Sequence, residues 1–168
     1  QTLTFRPLTQ RQIHQIALEE QLDETDGYLL SHLIRDVDQI KATAEDEAYQ
    51  NGMLMMRRFI REFPVREEEV LVWMQTEYLG SKDKEKDKRT FGYFLDCLLQ
   101  FFRDVAVGHT EGPAWMAEEV VKWNQRPLRL DRLIIVLLEC RDKLSRSYNL
   151  PLLADQLIYQ MKEGMIHE

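Results

Sequence analysis

Residues 88–108 read KRTFGYFLDCLLQFFRDVAVG, and their large apolar side chains recur three or four residues apart. That spacing puts them on one stripe of an α-helix and leaves the charged residues on the opposite side. The last residue, Gly108, is typical of the position that ends a helix. The stretch therefore predicts a long helix with one buried face, whose stripe consists of Phe91, Phe94, Leu95, Leu98, Phe102 and Val105.

A second stretch of this kind follows Asp131, which is predicted to cap its helix. Pro151 then starts a last helix, because proline is favoured in the first helical turn. Glycine (7) and proline (5) are scarce among the 168 residues, which favours long helices over a turn-rich sheet. The fold class is therefore predicted to be all-α. The stripe of the second stretch consists of Leu133, Ile134, Leu137, Leu138 and Leu144.

The N-terminal part of the chain is predicted to hold three short helices, enough for a small bundle. Thr9 is predicted to cap the first, Asp23 or Thr25 the second, and Asp38 the third. The acidic segment Glu45–Glu47 then interrupts the apolar pattern. We therefore place a junction there, between a three-helix bundle over residues 1–46 and a larger helical bundle over residues 47–168.

Two features of the larger bundle are predicted to break its helices. Proline removes a helical donor and disfavours helix at the preceding residue, so the first helix is predicted to stop at Pro64. Lys82–Arg89 is a run of eight charged residues, five basic and three acidic. Because these charges alternate in sign and nearly cancel, the run is interpreted as a solvated connector.

Charge and cysteine content argue against several classes of protein. The formal net charge is -7, and an acidic chain is poorly suited to wrapping nucleic acid by charge alone. The longest near-apolar run, Leu133–Leu138, is far shorter than the ~20 residues that span a bilayer, so no membrane is expected. The two cysteines form no CxxC pattern, which excludes a zinc ribbon and a disulfide framework and fits a reducing cytoplasm.

The sequence offers no constellation that predicts an enzyme. Both glycine-rich phosphate motifs are absent, and no two of the four histidines have the spacing of metal ligands, so neither cofactor nor metal is expected. Cys97 lies in a phenylalanine-rich helix, and both it and Cys140 are expected to be buried, inert thiols. The carboxylates within residues 19–26 cluster at a helix end, without the contrasting environments that acid–base catalysis needs.

Two further groups of residues have side chains that bind nucleic acid in other proteins. Arg57, Arg58 and Arg61 form a small basic patch on one helix, and two of them have Glu62 or an acidic segment within pairing distance along the chain. Pairing with these carboxylates is therefore favoured over contact of the patch with DNA, and any DNA contact of the protein is expected to be indirect or weak. The tryptophans lie at helical spacing beside apolar residues, which favours the core over a stacking platform for bases. They are Trp73, Trp115 and Trp123.

The order of several motifs resembles that of AAA+ clamp-loader subunits. Leu3–Thr9, with the sequence LTFRPLT, is similar to the arm that enters the three-helix lid of that family, and Asp38–Ala42 is similar to the start of the third lid helix. Lys88–Asp104 resembles a collar helix that ends in an aromatic residue followed, after one position, by Arg-Asp. Leu130–Ala154 resembles the last two collar helices.

The resemblance covers nearly the whole chain and implies a lid over residues 1–46, a collar over residues 47–168 and an ATPase-type domain before Gln1. Val37 stands where the family has a glycine. Lys41 falls nearest the position from which the lid of ATP-hydrolysing members supplies an arginine to the nucleotide. This departure favours a subunit type that is built like the motor subunits and does not hydrolyse ATP itself.

The resemblance thus implies a scaffold within the machine that loads the sliding clamp for DNA polymerase III. The partners would be the γ/τ and δ subunits, which pack against the collar, with DNA contacted indirectly. The residues expected at that interface are Leu150, Leu153, Ile158 and Tyr159.

Three alternatives remain open at this stage. In the first, the chain would be the lid and collar of the ATP-hydrolysing γ/τ subunit. In the second, it would be a free-standing adaptor that binds a partner helix in a groove. The third alternative is a small helical enzyme, which needs a polar pocket with perturbed titratable groups.

Overall fold

The structure, a computed structural model, describes residues 11–12, 15, 22–146 and 149–165. Across these residues the regular elements are helices, and the only β-type pairing is an isolated antiparallel bridge between Leu128 and Met165. The all-α prediction is therefore confirmed. The chain divides into two compact units, residues 1–46 and residues 47–168.

The first unit contains helices α1, Glu24–Leu33, and α2, Val37–Glu45. Asp23 caps α1, as expected, by accepting a hydrogen bond from the backbone nitrogen of Thr25 at 3.1 Å. The cap of α2 is Asp36 and not Asp38, because the Asp36 carboxylate accepts from the Asp38 backbone nitrogen. Asp38 lies in the first turn, where a negative charge suits the helix dipole. The expected cap Thr9 lies outside the described residues.

The described residues of the second unit form five α-helices and one π-helical turn. The longest element, α3, is followed directly by the π-helix, and α4 packs along α3. Helices α5 and α6 also pack on α4, and α7 packs on α6. The bounds are α3 Glu47–Trp73, the π-helix Met74–Tyr78, α4 Lys84–Val107, α5 Ala114–Asn124, α6 Leu130–Ser145 and α7 Leu150–Gly164.

The core of the second unit is aromatic where α3 meets α4. Phe59 stacks on Phe63 with ring centroids 4.7 Å apart and meets the edge of Phe94 at 5.5 Å. Gly52 allows the close approach of the two helices. A Cβ atom on Gly52 would lie 2.7 Å from the Thr90 carbonyl oxygen and 2.9 Å from the Phe94 backbone nitrogen. Real Cβ atoms do not come this close, so the crossing requires glycine.

The predicted helix end at Pro64 is confirmed to within two residues. The backbone leaves the helical region at Arg66, where φ is -135° and ψ is 47°, so α3 consists of two helical stretches joined by a kink, the second of which runs to Trp73. In a regular helix the Ile60 carbonyl accepts from the nitrogen of residue 64, and proline has no N–H to give. The indole Nε1–H of Trp123 donates to the Ile60 oxygen instead, at 2.9 Å. Trp123, 63 positions further along the chain, thus supplies the hydrogen bond that the Ile60 carbonyl cannot receive from Pro64.

The charged run Lys82–Arg89 is largely helical, so its interpretation as a connector was wrong. Asp83 caps α4 by accepting from the Lys86 backbone nitrogen at 3.1 Å, and the run forms the first turns. The Lys86 ammonium pairs with Glu47 at 2.7 Å and so links the first turns of α3 and α4. Alternating charges are compatible with helix once a cap fixes its start.

The ends of the other helices agree with the sequence in part. Gly108 ends α4 with a left-handed φ of 67°, as predicted. Pro151 lies in the first turn of α7, behind the cap Asn149, which also confirms the expectation. Helix α6 begins after Arg129, so Asp131 lies in its first turn and the prediction that it caps the helix was wrong.

Candidate functional site

Groups that could carry chemistry are scattered over the described residues. No group of three or more His, Cys, Asp or Glu residues in this part of the chain could hold a metal ion. The Nδ1 atom of His32 lies 2.8 Å from the Tyr28 carbonyl oxygen, a hydrogen bond within one helix. Cys97 and Cys140 are both buried free thiols, as the sequence predicted.

Cys140 is predicted to be unreactive in the folded protein. Burial outweighs the nearby Lys143 and Arg141 and raises the pKa of the thiol from 9.0 to about 12. At pH 8 only about one thiol in ten thousand is then a thiolate, so native protein resists iodoacetamide while protein unfolded in guanidinium reacts. Because the folded pKa is the higher one, the stability that the neutral thiol contributes is complete below pH 9 and is lost as pH rises towards 12. Rapid alkylation of native protein would contradict this.

The residues expected from the resemblance fall into different environments. Lys41 is exposed on α2, in the first unit. Leu153 and Ile158 are only 2% and 3% exposed and belong to the core of the second unit. Leu150 is partly exposed, and Tyr159 is 66% exposed. Of the four residues expected at a subunit interface, Tyr159 is therefore the one that offers most of its side chain to another chain.

The outer faces of α6 and α7 carry large apolar side chains that the bundle leaves in solvent. Ile135 and Leu138 lie one turn apart on α6, and Leu152 and Tyr159 lie two turns apart on α7. Leu138 was expected within the buried stripe, yet it is 46% exposed. The six consecutive apolar residues Leu133–Leu138 hid this outward face, because such a run does not reveal which side of the helix is buried.

Arg58, on the surface of α3, forms two ion pairs and a cation–π contact. Its Nε atom donates to the Glu62 carboxylate at 2.6 Å, and its NH1 atom donates to Glu77 on the π-helix. The guanidinium also lies over the Trp73 ring, 4.4 Å from its centroid. Burial alone would lower the pKa of Arg58, but the hydrogen bonds to Glu62 and Glu77 outweigh it and raise the pKa. The sequence predicted pairing with Glu62 and missed Glu77, which only the π-helix brings close.

The other two arginines of the predicted basic patch behave differently from Arg58. Arg57 lies over the ring of Trp115, 4.5 Å from its centroid, in a cation–π contact. Arg61 is exposed and forms no ion pair with another described residue. The expectation that the tryptophans are core residues is confirmed for Trp73 and Trp123, whereas Trp115 is only partly buried.

A cleft of about 580 Å³ opens beside these arginines on the second unit. Its walls are formed by Arg58, Arg61, Glu62, Val65 and Arg66. Val65 and Arg66 reach it because α3 is interrupted just after Pro64. The cleft therefore combines three guanidinium groups, one carboxylate and one exposed apolar side chain.

Comparison of the chain with protein families, with curated proteins and with solved structures finds no match. None of the described helices is both long enough and apolar enough to cross a membrane.

Proposed function

We propose that the chain is the lid and collar of a sliding-clamp loader subunit, of the δ′ type found in bacterial DNA polymerase III. Residues 1–46 would be the lid and residues 47–168 the collar. The protein would act in DNA replication at the cytoplasmic replisome, as a scaffold that holds γ/τ and δ subunits in place. Its contact with DNA would be indirect, through these partners.

The observation that carries this proposal is the apolar outer surface of α6 and α7. Ile135, Leu138, Leu152 and Tyr159 are all large and substantially exposed on the last two helices. Burial of such side chains between chains stabilises an assembly by roughly 25 cal/mol per Å² of apolar surface. The family that the motif order resembles forms its ring by packing collar helices side by side. In the proposal, the exposed apolar residues of α6 and α7 pack against the collar helices of neighbouring subunits.

In this proposal the protein makes and breaks no bond. Lys41, which is exposed on α2, falls nearest the position from which ATP-hydrolysing members offer an arginine to the nucleotide. The force that opens the clamp would come from the motor subunits, and this chain would keep their relative positions fixed. A rigid helical bundle with an aromatic core suits that task, because well-packed interiors transmit strain.

The proposal is tested by mixing the chain with γ/τ and δ subunits encoded in the same genome and measuring the mass of the product by size-exclusion chromatography with light scattering. A stable complex containing all three chains is expected. If the chain elutes alone at micromolar concentrations, the proposal fails. If it forms only a complex with itself, the free-standing adaptor becomes the better interpretation.

Leu138→Asp is predicted to weaken that complex about tenfold or more, because a charge would be buried without a partner at the interface. Val121→Asp on α5 is the matched control, since Val121 is also 46% exposed but does not belong to the proposed surface of α6 and α7. We expect it to change the affinity by less than about twofold. Both variants should fold as the parent does, because the replaced side chains lie in solvent. Equal effects of the two substitutions would remove α6 from the interface.

A further inference from the structure

The cleft beside Arg58 is lined mainly by cationic side chains. Its five lining residues include three arginines and one glutamate, whereas the whole chain has a formal charge of -7. Its volume of about 580 Å³ is large enough for a small ligand. We propose that this cleft binds a compact oxyanion, a phosphate or carboxylate group, through Arg61 and Arg66.

Arg61 and Arg66 are the cations that remain available to a ligand. Arg58 is engaged by Glu62 and Glu77 and lies against Trp73. Arg61 and Arg66 are both exposed, and neither forms an ion pair with another described residue. A guanidinium presents N–H groups in a planar fork that matches the oxygens of a phosphate or carboxylate. Two such groups on the wall of one cleft can therefore share one oxyanion.

The cleft is held in shape by contacts that a ligand does not need to create. Arg58 joins α3 to the π-helix through Glu77, and its stacking on the Trp73 ring restrains the Arg58 side chain, which forms part of the cleft wall. The backbone at Arg66 leaves the helical region two residues after Pro64 and brings Val65 and Arg66 to the same cavity. A site that is already formed loses less conformational entropy when a ligand binds.

The surroundings limit the ligand to a compact group. Glu62 lines the cleft, and the adjoining surface that shares Val65 and Arg66 also carries Glu67, Glu68 and Glu69. An extended polyanion such as a nucleic-acid strand would place its next phosphates against these carboxylates, and like charges repel. A single oxyanion attached to a small apolar group would meet the two arginines and the exposed side chain of Val65 instead. The charges thus favour a small anionic ligand over DNA.

The test is an NMR titration of the whole chain with inorganic phosphate and, separately, with acetate, at constant ionic strength. We expect saturable shifts of the Arg61 and Arg66 Nε–H signals, and the relative affinity of the two anions identifies phosphate or carboxylate as the better ligand. The double variant Arg61→Gln, Arg66→Gln should weaken binding at least about tenfold, because each charge-assisted hydrogen bond contributes more than a neutral one. The matched control, Arg129→Gln, removes an exposed arginine that forms no ion pair with a described residue, and binding should stay within about twofold.

Two results would overturn the proposal. Shifts that do not saturate, or that are the same in the double variant and the parent, would mean that the anions act only by screening charge. A ten-nucleotide single strand that binds far more tightly than phosphate, with steep salt dependence and loss in the double variant, would replace the compact ligand by nucleic acid.

Discussion

Gly52→Ala is expected to lower the free energy of unfolding of the second unit by about 2 kcal/mol, although alanine is the better helix former. The new methyl group would lie 2.7 Å from the Thr90 carbonyl oxygen and 2.8 Å from the Tyr93 Cβ atom. The Thr90 oxygen and the nearby Phe94 nitrogen belong to the backbone of α4. They cannot swing aside as a flexible side chain would, so the backbones of α3 and α4 must move apart at this crossing. A thermal melt should show the loss as a midpoint lower by about 6 °C.

Gly92→Ala is the matched control for this prediction. Gly92 also lies inside a long helix, but its added Cβ would meet the end of the Arg141 side chain at 3.4 Å and Leu144 Cδ2 at 3.6 Å. Those are contacts that a flexible side chain can accommodate. The gain in helix propensity, up to about 1 kcal/mol, should then prevail, and the variant should be as stable as the parent or more so. Equal destabilisation of both variants would show that the α3–α4 crossing is not specially close.

The periodicity of the sequence was sufficient to predict the fold class, the C-terminal end of α4 at Gly108 and the proline-led start of α7. These features are determined by residues that lie within one or two helical turns of each other along the sequence. The caps were less certain, because Asp36 and Asp38 are equally good capping residues and the backbone decides between them. The same holds at α6, where the sequence predicted Asp131 as the N-terminal cap and Arg129 occupies the cap position.

The arginine cluster was only partly predictable. Arg58 and Glu62 are four residues apart on a helix, so their pairing follows from helix geometry. Glu77 is 19 residues from Arg58 and reaches it only because the chain forms a π-helix after Trp73. The cleft depends on the interruption at Arg66, and Pro64, two residues earlier, was the local signal for it. The contact with Glu77 has no such local signal.

Trp123→Phe is expected to destabilise the second unit by about 3 kcal/mol, chiefly because it removes the indole N–H. Trp123 is fully buried and meets the rings of Phe101 and Phe102, and phenylalanine keeps part of these contacts. What it cannot keep is the hydrogen bond to the Ile60 carbonyl. An unpaired buried carbonyl costs about 1–3 kcal/mol, and the smaller ring adds the cost of a cavity. Chemical denaturation measures the difference.

The role of the indole is isolated by a double-mutant cycle with Pro64→Ala. Alanine restores an N–H at the position from which a helix normally donates to the carbonyl of Ile60. In that background the carbonyl has a second donor, so Trp123→Phe should cost about 1 kcal/mol less than it does beside proline. Trp73→Phe is the control, because the Trp73 Nε1 atom is buried without a partner among the described residues and has no hydrogen bond to lose.

The cycle separates two explanations of the long helix. If Trp123 compensates for Pro64, the two substitutions together cost about 1 kcal/mol less than the sum of their separate costs, whereas the costs of Trp73→Phe and Pro64→Ala simply add. If the proline is tolerated only because α3 bends at Arg66, both tryptophans show no coupling and the indole contributes packing alone. The first outcome would also explain how a proline can lie inside a helix that must hold Arg58 and Arg66 in one cleft. In that case the hydrogen bond from α5 holds α3 together up to the bend at Arg66, which lines the cleft, and the second stretch of α3 leads on to the π-helix of Glu77.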